Sequence, residues 1–75
     1  MPRYFFNIHD GKNVIDHEGT ELRDLDEAKS DAVHLAGHSI ADMGDKFWTK
    51  GEEWRLEVTD SSGTVLFALK FSAVP

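Results

Sequence analysis

The stretch WRLEVTDSSGTVLFALKF, residues 54–71, sets two alternating runs on either side of a polar tetrapeptide. Trp54, Leu56 and Val58 alternate with Arg55, Glu57 and Thr59. After Asp60-Ser61-Ser62-Gly63, the residues Val65, Phe67, Leu69 and Phe71 alternate with Thr64, Leu66, Ala68 and Lys70. A period of two is the repeat of a strand with one buried side, so the stretch predicts a β-hairpin. A four-residue connection ending in glycine is the kind built on a type I turn closed by a left-handed residue. Trp54 is in phase with Leu56 and Val58, which assigns it to the core rather than to a stacking platform for a base or a sugar.

Upstream the period changes. Apolar and small residues recur at 25, 28, 32, 35, 36, 39, 40, 43 and 47, the three-four spacing of one helical face. Asp24 precedes this run as an N-cap, Glu27 stands where a capping box places its acid, and Asp26 and Glu27 lie where the helix dipole favours negative charge. Gly44 is a possible terminus, but Phe47 keeps the period, so the helix is expected to run from Leu25 to about residue 47, ending somewhere between 43 and 48. Before it, Asp16 to Arg23 shows neither period and reads as loop, with Leu22 anchored in the core. Trp48, in a segment with Lys46, Lys50 and Gly51, lies beyond the last periodic residue and is a candidate exposed contact.

At the N-terminus Tyr4, Phe6 and Ile8 alternate with Arg3, Phe5, Asn7 and His9, and Asp10-Gly11-Lys12-Asn13 reads as a turn into a short return strand begun by Val14 and Ile15. The whole is then α+β, a single domain over 1–75 with the order β-β-α-β-β: an antiparallel-rich sheet with one amphipathic helix packed on one side. Strand order stays open, because the helix can return the third strand beside either the first or the second; the first, apolar on both sides, is favoured as central. One helix covers one side only. Tyr4, Phe6 and Ile8 belong under it, as do Val65, Phe67, Leu69 and Phe71, which sends Phe5, Leu66 and Ala68 to the bare side, framed by Arg3, Arg55, Glu57 and Lys70.

Composition narrows the function classes. Without cysteine there is no disulfide, thiol nucleophile or thiolate zinc site, and a reducing, cytoplasmic setting is expected. Neither a secretory signal nor a membrane span is expected, and 14 acidic against 8 basic residues give a charge of −6, which disfavours nucleic acid and anionic lipid. A 75-residue chain has a core of small net stability, which makes a second stabiliser valuable.

Met1-Pro2-Arg3-Tyr4-Phe5-Phe6, the His9-Asp10-Gly11 turn, Glu18-Gly19-Thr20-Glu21-Leu22 and the late Trp54-Arg55-Leu56-Glu57-Val58-Thr59-Asp60 run together carry a resemblance. Over essentially its whole length the chain resembles a family of short proteobacterial proteins described as a domain of unknown function. That resemblance implies neither an activity nor catalytic residues. More loosely, a hairpin and an acidic loop followed by Asp24-Leu25-Asp26-Glu27-Ala28 opening a helix is similar to the antitoxin half of a toxin and antitoxin pair of the small RNase type, which implies a basic protein partner.

Chemistry-bearing constellations are sparse. His34 and His38 are four apart on the helix and share an arc with Asp31, Asp42 and Asp45, a spacing that two metal-binding imidazoles use. A zincin would need Glu directly after the first His, where Leu35 stands. The acids of Asp10 to Glu21 miss the EF-hand register, and His9 beside Asp10 has no nucleophile at motif spacing. No catalytic motif and no cofactor is therefore expected. The expected function is a non-catalytic protein-interaction or homo-oligomerising module, with a homodimer foremost. Its interface centres on Phe5, Leu66 and Ala68, with Arg3, Arg55 and Lys70 around them. An antitoxin-like regulator and a metal-binding protein using His34 and His38 are the alternatives.

Overall fold

A computed structural model describes residues 1–50 and 53–74, the side chains of 49 and 50 excepted; Gly51 thus lies outside the described residues. The elements in chain order are β1 (Arg3–His9), β2 (Asn13–Val14), β3 (Thr20–Glu21), α1 (Leu25–Met43), α2 (Lys46–Lys50), β4 (Trp54–Thr59) and β5 (Val65–Phe71). The sheet is antiparallel in the order β2-β1-β4-β5, with β3 also on β1. β1 therefore lies inside the sheet, as its two apolar sides require.

The hairpin forms as expected. Gly63 takes φ 86°, and its N–H donates to the Asp60 carbonyl at 3.1 Å, so a left-handed residue closes the turn. The Asp60 carboxylate accepts from the N–H of Ser62 and of Thr64 and from the Ser62 hydroxyl. The Ser62 hydroxyl first, then the backbone donors, hold its pKa below the ordinary value. Along the strands, Phe6 pairs with Val58 and Ile8 with Leu56, while Val58 pairs with Phe67 and Leu56 with Leu69. These residues share the side that α1 covers, together with Tyr4 and the fully buried Trp54.

One inward assignment fails. Between Val58 and Thr59 the register shifts, so that Thr59 pairs with Val65 and Leu66 is the extra residue of a bulge. A bulge reverses the phase beyond it. Val65 therefore joins Thr59 and Phe5 on the uncovered side and is 50% exposed, where simple alternation placed it in the core.

In α1, Asp24 takes the N-cap and its carboxylate accepts the Glu27 N–H at 2.9 Å. Glu27 reaches one residue further back than a capping box requires, accepting the Arg23 N–H and pairing with the Arg23 guanidinium. Ala28, Ala32 and Ala36 are fully buried, and side chains this small let the helix lie close on the sheet. Leu25, expected on the buried stripe, is instead 39% exposed at the first turn.

The helix does not run to residue 47. It ends at Met43, where Gly44 takes φ 53° and donates to Ile40, and a short second helix begins at Lys46. The reason is length. Nineteen helical residues span ~28 Å, whereas a seven-residue strand covers only ~24 Å. A straight continuation would carry Phe47 past the sheet. Turning at Gly44, with Phe47 N–H on the Gly44 carbonyl, brings Phe47 back into the core.

The polar segment expected as loop holds a strand. Thr20 and Glu21 pair with Tyr4 and Arg3, and Leu22 behind them is buried as expected. β2 is shorter than expected, leaving Ile15 outside it and exposed. Among the described residues no helix is long and apolar enough to cross a membrane.

Candidate functional site

The side of the sheet away from α1 is built in rows by the strand register. Phe5, Thr59 and Val65 form the first row, Asn7, Glu57 and Ala68 the second, and His9, Arg55 and Lys70 the third. The surface thus grades from apolar near the hairpin turn to charged at the opposite end. Leu66, 38% exposed, adds to the apolar end.

The structure brings Leu66 and Ala68 onto this side with Phe5, as parity expects, but Phe5 stands two strands away with β4 between them. Phe5 is also half-buried. It shares an open recess of about 260 Å³ with Ile15, Asp16 and Thr59, so the loop after β2 leans over it. Thr59, central in its row, is buried.

That loop is held by two side chains. Asp16 accepts the N–H of Glu18 and Gly19 on Oδ1 and the N–H of Phe6 on Oδ2, while the Asp16 N–H donates to Asn7 Oδ1. Phe6 lies between the stretches of β1 paired to β3 and to β2. A carboxylate here replaces the carbonyl that a continuous neighbouring strand would have offered. Burial opposes ionisation of Asp16, but hydrogen bonds from Gly19, Phe6 and Glu18 and the nearby His17 outweigh it and lower its pKa.

Arg3, expected at the interface rim, is committed to the same loop. Its guanidinium donates to the Glu18 carbonyl at 2.8 Å and pairs with Glu21 at 3.2 Å. Gly19 packs against this assembly at φ 74°, and a Cβ there would lie 2.7 Å from Arg3 Cγ and 2.8 Å from Phe5 Cε2. Replacing Gly19 by alanine combines backbone strain with overlap, for which ~2 kcal/mol of lost stability is expected in chemical denaturation.

The charged end has Glu57 at its centre. Its Oε1 lies 3.0 Å from His9 Nε2 and its Oε2 lies 3.5 Å from Arg55 Nε, while His9 Nδ1 is 2.6 Å from Asn13 Oδ1. The Arg55 separation is that of an ion pair, and His9 forms one only when its ring is protonated. His9 Nε2 and Arg55 Nε are buried without a well-aligned hydrogen bond, so the Arg55 contact is Coulombic rather than directional. Lys70 lies 3.9 Å from Glu53 at the rim. Pattern reading named Arg55 and Glu57 as part of this surface's frame; what it missed is Val65, displaced by the bulge, and the meeting of His9 with Glu57 and Arg55 across two strands that no motif joins.

His34 and His38 lie exposed on α1. Among the described residues no group of three or more His, Asp or Glu is placed to hold a metal ion, so Asp31, Asp42 and Asp45 do not complete a site with them. Trp48 is exposed on α2.

No curated protein and no solved structure matches the chain. A family model does match, over residues 3–72, and takes in every strand of the sheet, both helices, the Asp16 loop and the graded surface just described. By that match the chain belongs to the family described as Domain of unknown function (DUF6894).

Proposed function

We propose that the chain is a non-catalytic protein-interaction module that associates with a second copy of itself on the β5 side of the sheet. Leu66 and Ala68, with Val65 beside them, supply the apolar contact. Phe5, two strands away on the same side of the sheet, stands outside this contact, and Arg55 and Lys70 set its charged end. Arg3, which fixes the loop over Phe5, stands outside it as well.

The observation that carries this reading is the imbalance between core and surface. Among the described residues nine apolar side chains are buried, and three of them are alanines, while Val65, Leu66 and Phe71 of a single strand are exposed. A domain this small gains stability from any partner that takes such residues out of water. Sedimentation velocity of the wild-type chain over a dilution series tests it. A dimer that dissociates on dilution is expected, and a monomer up to millimolar concentration would overturn the reading.

A further inference from the structure

We infer that the second copy docks along the free edge of β5, antiparallel to it and about a two-fold axis at Ala68, so that two sheets become one. This rests on the self-association proposed above and names its geometry. The two edges of the sheet differ in a way that selects this one.

The edge on the far side of β1 is closed. It carries two strands of two residues each, and Asp16 occupies the gap between them and takes the Phe6 N–H. The β5 edge is seven residues long, carries Lys70 as its single charge, and is regular from Phe67 to Phe71 once past its bulge. Natural sheets protect exposed edges with charge, proline, bulges or short strands. Here β5 has a bulge at one end, a single lysine near the other, and neither charge nor proline between them.

The register identifies the groups that are open. In an antiparallel strand the N–H and C=O of one residue point to the same side, and successive residues alternate. Phe6 donates to Asp16 and Pro2 accepts from Leu22, so the even residues of β1 face that closed edge and the odd ones face β4. Carried across the pairs Asn7 with Glu57 and Leu56 with Leu69, this turns Phe67, Leu69 and Phe71 toward β4. The main-chain groups of Ala68 and Lys70 therefore point outward. Among the described residues no side chain or loop accepts from them.

A second copy fits these groups by symmetry. With the axis at Ala68, each Ala68 pairs with its counterpart, Leu66 pairs with Lys70, and Phe67 meets Leu69 under the helices. The two Lys70 ammonium groups then stand about four residues, ~13 Å, apart. Shifting the axis to Leu69 would halve that spacing.

Charge agrees, because in a chain of charge −6 Asp16, Glu18 and Glu21 lie on the opposite edge and Glu53, near this one, is offset by Lys70. The helix layer agrees as well. Leu35 shares a recess with Phe6 and Thr20, so it lies on the β1 flank of α1. Val33, about 200° from it on the helix, lies on the β5 flank and is 60% exposed. The footprint is on the order of 400 Å² per partner, against ~800 Å² for a standard stable interface, so the dimer is a weak, reversible one.

The test combines sedimentation velocity with amide hydrogen exchange on the full chain. Ala68→Lys sets two ammonium groups face to face at the axis and is expected to weaken dimerisation at least ~30-fold. Phe5→Glu, on the far strand, should change it by less than about threefold. In the wild type, the amides of Ala68 and Lys70 should exchange at least ~10-fold more slowly when concentrated than when dilute. A dimer kept in Ala68→Lys and lost in Phe5→Glu would overturn edge pairing while leaving self-association standing; a monomer throughout would overturn both. Should either variant misfold, the wild-type exchange decides alone: protection of Ala68 and Lys70 that ignores concentration overturns the edge.

Discussion

Trp54→Ala is expected to remove a third or more of the chain's stability. Trp54 is 1% exposed, and its ring meets Phe71 edge-on at 5.7 Å between centroids. Truncating a buried tryptophan costs ~3–5 kcal/mol, the lost transfer free energy plus the cavity left behind. A chain of 75 residues has roughly 4–11 kcal/mol in total. The core offers little means of closing the gap, because the helix lies over it on Ala28, Ala32 and Ala36, which cannot extend into a void. Circular dichroism through a urea titration would show the midpoint falling by a third or more of its wild-type value. A loss below about 1 kcal/mol would mean that the helix and sheet are not packed as described. Exposed Trp48 remains in the variant as a fluorescence reporter whose environment should change little.

The second large effect belongs to Asp16. Replacing it by alanine leaves the N–H groups of Phe6, Glu18 and Gly19 without their acceptor. Hydrogen bonds to an ionised group are the stronger kind, and the loss is expected to be ~3 kcal/mol, or roughly 15 °C in melting temperature for a domain of this size. The same carboxylate sets an acid limit. Its pKa is lowered from 3.8, so the folded chain keeps it ionised where the unfolded chain takes up a proton. Its contribution is therefore whole above the unfolded value and is lost as pH falls through the folded one. Melting temperature should decline below about pH 4 in the wild type, and Asp16→Asn should remove much of that decline. Asp60 is lowered too, so Asp60→Asn serves as the parallel measurement for the turn. An acid limb unchanged in Asp16→Asn would show that the loop is held by something other than this carboxylate.

Much of the architecture is legible in the chain because it is written as period. The hairpin declares itself through Trp54, Leu56 and Val58 against Phe67 and Leu69, and the helix start through Asp24 and Glu27, each a local rule satisfied within a few residues. What escaped has no local rule. Thr20 and Glu21 are too short a strand to show alternation, and their pairing depends on Asp16 and Gly19 folding the loop back onto β1. The bulge at Leu66 is a shift of register between β4 and β5, and strict alternation conceals it by assigning Val65 to the wrong side. Phe47 keeps a helical period by coincidence of spacing, although it reaches the core through a break at Gly44. The candidate surface was legible as far as parity reaches, which includes Phe5, Leu66 and Ala68. Its polar centre was not, since His9, Arg55 and Glu57 meet only through the register between β1 and β4.

The plug that Asp16 forms in the far border has a consequence for how large an assembly can grow. A β-layer open at both margins can add copies indefinitely and lengthen into a fibril. With one margin stoppered by a carboxylate, any sideways growth that starts from the other must terminate once two molecules have met. Removing the stopper would free the Phe6 N–H between β2 and β3, so that, if copies pair through β5, the far margin would lose one of the features that holds them to two.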